Sequence, residues 1–226
     1  PSVVMSRGPG DKMDVAAISY SNKTITTKWT WTSRNKTFPN GYGWTDFHAI
    51  RIVDVDADGK DEISWGSSML NDDGSVLYTN ELVHGDRFQI ADMDPDRPGL
   101  EAYAIQQYNP NLIGSALFDA RTGAMIKKWY LSANGDVGRG DAADLDPRYK
   151  GLENFSYSSG SLFDAKGNEI APAHPSVDLS IWWDGDVLRE LLRGIGGPGL
   201  NPAIEKWNYS TSASARQFTM YNEGGS

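Results

Sequence analysis

The stretch DVDADGKDE, from Asp54 to Glu62, sets the pattern for the whole chain. It recurs in variant form as DMDPDRPGLE from Asp92 to Glu101 and as DLDPRYKGLE from Asp144 to Glu153. Each copy is followed by an apolar stretch of β type, namely ISWGS, EAYAIQ or ENFSYS, and later by a turn rich in glycine. Three copies in one order indicate a repeat protein whose acidic loops lead into β-strands.

The acidic loops carry the oxygen ligands that Ca²⁺ prefers. Carboxylates at alternating positions of a loop turned by glycine, with a glutamate several residues later, converge hard oxygen atoms on one point. An EF-hand is excluded, because its last ligand position falls on Trp65 and strands rather than helices follow the loops. We therefore predict several Ca²⁺ sites. The first comprises Asp54, Asp56, Asp58, Glu62 and the carbonyl of Lys60; two variant sites comprise Asp92, Asp94, Asp96 and Glu101, and Asp144, Asp146 and Glu153.

Further charged side chains stand just upstream of the acidic stretches, where the inner strands of the repeats would begin. Two of the three histidines are among them. A histidine in such a place is either a structural residue or a metal ligand, and the sequence leaves both interpretations open for His48 and His84, with Asp86 beside them. The other residues expected at this end are Asp46, Arg139, Asp141, Trp182, Trp183, Asp184 and Asp186.

The spacing of the strand-type runs predicts an all-β protein. Runs of four to seven residues alternate with turns such as DDG, RTG and KGN. The larger unit recurs at roughly forty to fifty residues, the range of four-stranded propeller blades. We predict one domain over residues 1–226: four blades that begin near Phe47, Phe88, Gly140 and Leu179, preceded by a fragment, residues 3–31, of an earlier blade.

Composition excludes several classes of partner. The chain has 21 Lys and Arg against 30 Asp and Glu, a formal charge of −9, and no basic patch. Nucleic acids and anionic membranes both require clustered basic residues, so neither is expected as a partner. No run is long and apolar enough to span a bilayer. The absence of cysteine excludes a disulfide framework.

Three local motifs suggest functions that the surrounding pattern does not support. GIGGPG, from Gly194 to Gly199, has dinucleotide-type spacing but lacks a βαβ unit, so we interpret it as a loop. The Arg-Gly-Asp triplet at 139–141 leads into a repeat strand, which favours a structural role over adhesion. LRELL, from Leu188 to Leu192, is too short for a stable helix and is predicted to be a strand.

Three long stretches resemble signature sequences of family 11 rhamnogalacturonan lyases: HGDRFQIADMDPDRPGLE at 84–101, GDVGRGDAADLDPRYKGLE at 135–153 and IWWDGDVLRELL at 181–192. The resemblance implies a secreted, Ca²⁺-rich, eight-bladed β-propeller that cleaves rhamnogalacturonan I, the pectin backbone, by β-elimination. It also implies that this chain supplies the middle and later blades. The remaining blades would belong to another segment or a second chain. The lysine and tyrosine proposed as catalytic in the family would lie beyond Ser226, so no catalytic or substrate-binding residue is assigned.

Two alternatives remain open at this stage. The same acidic loops would equally serve a non-catalytic, calcium-dependent carbohydrate-binding or adhesion propeller, which needs no proton-transfer residues. A self-contained five-bladed propeller, closed by the strand RQFTMY at 216–221, is the third interpretation.

Overall fold

The structure, a computed structural model, describes residues 2–8, 13–34, 36, 46–176, 178–194 and 201–221. Across these ranges the chain forms nineteen β-strands, and none of the ranges contains a helix. Consequently, none of them supplies an apolar helix that could cross a membrane. The all-β prediction is confirmed.

The strands form five antiparallel sheets, which follow one another along the chain. Sheet I contains β1 (Ser2–Arg7), β2 (Asp14–Ser21) and β3 (Thr24–Thr32). Sheet II contains β4 (Asp46–Val53), β5 (Glu62–Gly66), β6 (Ser68–Leu70) and β7 (Val76–Thr79). Sheet III contains β8 (Phe88–Ala91), β9 (Glu101–Ile105), β10 (Ile113–Asp119) and β11 (Met125–Tyr130). Sheet IV contains β12 (Gly140–Ala143), β13 (Glu153–Ser156), β14 (Leu162–Phe163) and β15 (Glu169–Ala171). Sheet V contains β16 (Leu179–Ile181), β17 (Glu190–Arg193), β18 (Ala203–Asn208) and β19 (Ala213–Thr219).

Sheets II to V are built alike, because each pairs its four strands in chain order. The connection between the first and second strand of each is acidic. We call these connections acidic loops II, III, IV and V; they span residues 54–61, 92–100, 144–152 and 182–189. The predicted strand starts agree with the structure to within one residue. The last three residues of LRELL belong to β17, so the prediction of a strand there is confirmed.

Apolar cores lie between consecutive sheets. Sheets IV and V share a core that contains Phe155 and Trp207, and both side chains are almost fully buried. Rings also meet across the earlier interfaces, where tilted and edge contacts suit aromatic pairs. These pairs, with their centroid separations, are Trp31 with Trp65 at 4.6 Å, Phe47 with Phe88 at 5.3 Å, and Trp129 with Phe163 at 5.0 Å. The sheets therefore stack face to face in chain order.

The first strands of sheets II to V are neighbours: β4 contacts β8, β8 contacts β12, and β12 contacts β16. Phe47 forms a parallel bridge to Gly85 at the start of this row. Glycine is required there, since a Cβ on Gly85 would lie 1.9 Å from the carbonyl oxygen of Ile105. This arrangement brings the starts of the inner strands to one edge, which we call the inner edge. Closure into a propeller ring, and the single domain over residues 1–226, remain predictions.

The Arg-Gly-Asp triplet has a structural role, as predicted. Asp141 lies in β12 with only 2% of its surface exposed. Its carboxylate accepts hydrogen bonds from Gln89 Nε2 at 3.0 Å and from the Ser180 N–H at 2.9 Å, so it links the first strands of three sheets. Most of GIGGPG, residues 195–199, lies outside the described residues.

Candidate metal centres in the acidic loops

Acidic loop II gathers the three aspartates that the sequence singles out. One carboxylate oxygen from each of Asp54, Asp56 and Asp58 lies within 4.8 Å of the others. The loop is held in this shape by its own backbone, because Asp54 accepts the Ala57 N–H at 2.7 Å and the Gly59 N–H at 3.0 Å. Both of these residues have positive φ angles, 63° and 87°. A short acidic loop is thereby folded into a concave cluster of oxygen ligands.

A buried glutamate closes each acidic loop. It is the first residue of the second strand in sheets II to V, and its side chain is at most 1% exposed. In every case Oε2 accepts backbone N–H groups from the beginning of the same loop, so that both ends of the loop are fixed. The bonds run from Val55 to Glu62 (2.9 Å), from Met93 and Asp94 to Glu101 (both 3.0 Å), from Leu145 and Asp146 to Glu153 (2.7 and 3.0 Å), and from Trp183 and Asp184 to Glu190 (2.9 and 3.4 Å).

The other oxygen of these glutamates is the strongest indication of a cation. Oε1 of Glu62 and Oε1 of Glu153 are buried and have no hydrogen-bond partner among the described residues. In loops III and V, Oε1 makes no well-directed hydrogen bond, but it lies 3.6 Å from Arg97 Nε and 2.8 Å from Lys206 Nζ respectively. A buried, unpaired carboxylate oxygen is costly. A hard cation would satisfy it, and in loop II three converging aspartates stand beside it, so the donor set of loop II fits Ca²⁺.

Burial also alters how the glutamates ionise. It raises the pKa of Glu62 and of Glu101, and it raises the pKa of Glu153 to about 8 although two backbone N–H groups favour the charged form. The pKa of Asp144, in the same loop as Glu153, is raised by burial as well. These carboxyl groups therefore resist becoming charged without a compensating cation.

Acidic loops III and IV are less convergent than the sequence suggests. Among the described residues, neither loop brings three carboxylate or imidazole groups within 4.8 Å. Asp96 is paired with Lys150 and Lys166, and Asp146 forms a two-pronged ion pair with Arg148 at 2.8 and 2.6 Å. Ca²⁺ binding by Asp92, Asp94, Asp96 and Glu101, and by Asp144, Asp146 and Glu153, remains a prediction, as does the role of the Lys60 carbonyl.

Loop V contains a cluster that the sequence analysis did not count among the metal sites. Carboxylate oxygens of Asp184, Asp186 and Glu190 lie within 4.8 Å of one another. The pattern was hidden because Trp182 stands where the other loops begin with aspartate. The signal available in the sequence was the glutamate four residues after Asp186, the spacing that also separates Asp58 from Glu62.

Successive loops are joined by backbone hydrogen bonds. The Leu152 N–H of loop IV donates to the carbonyl of Met93 in loop III at 2.9 Å. The Arg189 N–H of loop V donates to the carbonyl of Asp144 in loop IV at 2.8 Å. In both cases the donor directly precedes the buried glutamate, so each loop rests on the one before it.

The structure also brings together the predicted histidines. His48 Nε2 lies 3.2 Å from Asp86 Oδ1, the rings of His48 and His84 are 4.9 Å apart, and one ligand atom from each of the three residues falls within 4.8 Å. His84 is buried, whereas His48 is half exposed at the inner edge. Imidazole nitrogen suits transition-metal ions better than it suits Ca²⁺. Their role as metal ligands remains a prediction.

Other charged groups at the inner edge are paired within the protein. At this edge Arg139 forms an ion pair with Asp178. The expectation that Trp182, Trp183, Asp184 and Asp186 lie at the inner edge is wrong, because they belong to loop V, which follows the end of β16. In that loop the guanidinium of Arg189 lies 3.8 Å from the ring centre of Trp182. Trp182 and Trp183 are 59% and 54% exposed, so they remain accessible on loop V. The side chain of Asp46 lies outside the described part of the structure.

The raised pKa of Glu153 predicts a particular pH dependence. Between its ordinary pKa, 4.5, and about 8, the folded metal-free protein retains a proton that the unfolded chain has lost. Stability in a chelator should therefore fall as pH rises through this window, while added Ca²⁺, which needs the ionised carboxylate, should stabilise more at pH 8 than at pH 5. Melting curves across this range, with and without Ca²⁺, test this. Glu153→Gln should flatten the slope in chelator; a metal-free protein that becomes more stable towards pH 8 would contradict it.

The fold and its loops define a class of protein: stacked antiparallel sheets, four of which carry an acidic loop after their first strand and a buried glutamate at the start of their second. A family model described as rhamnogalacturonan lyase family 11, C-terminal domain, matches residues 1–224. The chain belongs to this family, which confirms the resemblance seen in the sequence.

Two curated relatives come from Bacillus subtilis (strain 168). The rhamnogalacturonan endolyase YesW is 39% identical over 220 residues, which cover 97% of this chain and 34% of the relative. The rhamnogalacturonan exolyase YesX is 38% identical over 220 residues, which cover 92% of this chain and 35% of the relative. The chain thus spans about a third of the length of these relatives.

Crystal structures share the fold over the same part. That of YesW has a TM-score of 0.84 at 38% identity, and that of the exotype lyase YesX has a TM-score of 0.85 at 35% identity. Each comparison covers 97% of this chain, with 36% and 37% of the crystal chains respectively.

Proposed function

We propose that this chain is part of a polysaccharide lyase that cleaves the rhamnogalacturonan I backbone of pectin by β-elimination. The observation that supports this most strongly is the 39% identity, across 97% of the chain, to a relative named as a rhamnogalacturonan endolyase. The relative named as an exolyase is 38% identical. Because the two values are nearly equal, the proposal extends to cleavage of the polymer and not to endo or exo action.

The proposed chemistry suits an acidic protein that holds cations. β-Elimination requires a base to remove the C5 proton of a galacturonate while the bond at O4 breaks. A bound divalent cation would neutralise the neighbouring carboxylate of the sugar, and this would make the C5 proton more acidic. At the inner edge His48, His84 and Asp86 would hold such an ion, and in loop II Asp54, Asp56, Asp58 and Glu62 would hold Ca²⁺. Residues 1–226 carry no assigned base.

We further propose that the five sheets are consecutive blades of a calcium-rich propeller. Two observations support this: the sheets stack in chain order, and the first strands of sheets II to V are neighbours. In a propeller the first strand of each blade lines the central channel. The further blades of the eight expected from the resemblance would then be the partner of this chain. Since a polysaccharide of this size cannot enter a cell intact, we also propose that the protein is secreted.

The activity test compares residues 1–226 alone with the same residues joined to the missing blades. Formation of the unsaturated uronate from rhamnogalacturonan I, followed by ultraviolet absorbance, is expected for the joined protein and should be lost on chelation. The isolated chain should be slower by about 10²–10⁴-fold, because the family's proposed proton-transfer residues are implied to lie elsewhere.

Each result in this comparison has a separate meaning. Full activity of the isolated chain would place the base within residues 1–226 and contradict the assignment of proton transfer to other blades. Polymer binding by the joined protein without cleavage would favour the calcium-dependent carbohydrate-binding or adhesion function instead.

A further inference from the structure

Loop V differs from the other acidic loops at its first ligand position. The bonds to the closing glutamates align Trp183 with Val55, Met93 and Leu145, because these residues donate to equivalent oxygen atoms. The residue before each of them is aspartate in loops II, III and IV, but in loop V it is Trp182. Of the three alternating ligand positions, all carry aspartate in loop II, but only the second and third do so in loop V.

A second difference lies across the sheet from the closing glutamate. In sheet III the residue opposite Glu101 is Asp119, which begins a hairpin turn and accepts the Thr122 N–H at 2.8 Å. The registers of sheets II and IV, continued by one residue, place Asn71 and Asp164 at the same point. In all three sheets the residue facing the glutamate thus carries a side-chain oxygen.

In sheet V the turn begins later and a lysine takes this position. The side chain of Asn208 accepts the N–H of Ser210 at 3.0 Å, so the turn starts at residue 208. Lys206 consequently remains inside β18, directly opposite Glu190. Because the turn starts two residues after the position that faces the glutamate, an ammonium group stands where the other sheets have a side-chain oxygen.

The ammonium group of Lys206 occupies the cluster of carboxylates. It pairs with Asp184, lies 2.5 Å from Asp186 Oδ2 and lies 2.8 Å from Glu190 Oε1. Its side chain is only 20% exposed. By contrast, the lysine of loop II, Lys60, is 58% exposed and pairs with Asp58 and Asp72 at the longer distances of 3.4 and 3.3 Å.

We propose that Lys206 is the resident cation of loop V and that this loop is held closed without calcium. The missing first carboxylate and the lysine opposite Glu190 are independent changes. Both lower the net negative charge that a divalent ion would balance in loop V. A Ca²⁺ ion would have to displace a positive charge already bound to every carboxylate of the cluster. The proposal goes beyond the calcium sites proposed for loops II, III and IV.

A pair of matched substitutions tests the proposal. Asp58 and Asp186 each lie four residues before their closing glutamate, one in loop II and one in loop V. Asp58→Asn should weaken one Ca²⁺ site of the purified protein by at least about 10-fold in calorimetric titration, since it removes a charged ligand. Asp186→Asn should leave the number and affinity of the Ca²⁺ sites unchanged. Loss of a site in Asp186→Asn would overturn the proposal.

Substitution of the lysine itself gives a test that does not depend on calcium elsewhere. In chelator, Lys206→Met should lower the melting temperature by several degrees, because three carboxylates lose their cation, whereas Lys206→Arg should remain near the parent value. Lys206→Asn should gain one Ca²⁺ site.

An unchanged melting temperature for Lys206→Met would overturn the role of the lysine. A parent protein that binds no Ca²⁺, together with a destabilised Lys206→Met, would disprove the sites in loops II to IV while supporting this one.

Discussion

Removal of calcium with EDTA should lower the melting temperature of the protein by about 15–30 °C. Each of the three predicted sites contributes about 2.7 kcal/mol when free Ca²⁺ exceeds its dissociation constant 100-fold, or about 8 kcal/mol in total. For a domain of this size one kcal/mol corresponds to about 2–4 °C. The buried glutamates are one cause of this loss, because Glu62 and Glu153 would be left with an unpaired oxygen without the ion.

Calorimetry in Ca²⁺ and in EDTA, with elemental analysis of the purified protein, measures this directly. Mg²⁺ is the control, since its smaller, stricter octahedral shell should not restore stability in flexible carboxylate loops. A protein that contains no calcium and melts at one temperature in both buffers would disprove the metal sites.

The second large effect is expected at Gly151, in loop IV. Its φ is +99°, and a Cβ there would lie 2.0 Å from the carbonyl oxygen of Met93, the same oxygen that accepts the Leu152 N–H. Gly151→Ala therefore forces loops III and IV apart in addition to straining the backbone. Gly99 is the matched control, because its φ is +97° and nothing lies within 4 Å of a Cβ placed on it.

Urea unfolding of the two variants measures the free energy of unfolding, and it separates the cost of backbone strain from the cost of the steric contact with Met93. Gly99→Ala should cost about 1–2 kcal/mol from the backbone conformation alone. Gly151→Ala should cost about 2–4 kcal/mol more, through overpacking and the loss of a buried hydrogen bond. Equal losses in the two variants would mean that the contact between loops III and IV adds nothing to stability.

The repeat made much of this fold predictable from sequence. Strand starts at Phe88, Gly140 and Leu179 followed from the spacing of the acidic stretches, and the structure confirms them. Loop II was predicted from its alternating aspartates and its turn glycine, and the structure brings one oxygen of each aspartate together. The same alternation in loop III, all of which the structure describes, does not produce such a cluster. The sequence analysis placed His48 and His84 upstream of successive acidic loops, and the structure brings their rings to 4.9 Å from each other.

What could not be predicted depends on distances across the sheet. The position of Lys206 opposite Glu190 follows from the register of β17 and β18, which the sequence alone does not reveal. Loop V was not counted because Trp182 breaks the aspartate pattern at its start. In loop IV the ion pair between Arg148 and Asp146 competes for a predicted ligand, a contact that depends on side-chain conformation rather than spacing.

The hydrogen bonds that join successive loops would make Ca²⁺ binding by one loop depend on its neighbours. Leu152 ties loop IV to Met93, and Arg189 ties loop V to Asp144, so ordering one loop restricts the backbone of the loop before it. A loop restricted in advance loses less conformational entropy when it takes up an ion, which amounts to positive cooperativity without a change of shape. Lys206, the proposed resident cation of loop V, would keep that loop ordered at all times. Ca²⁺ binding would then be favoured first in loop IV and after it in loop III.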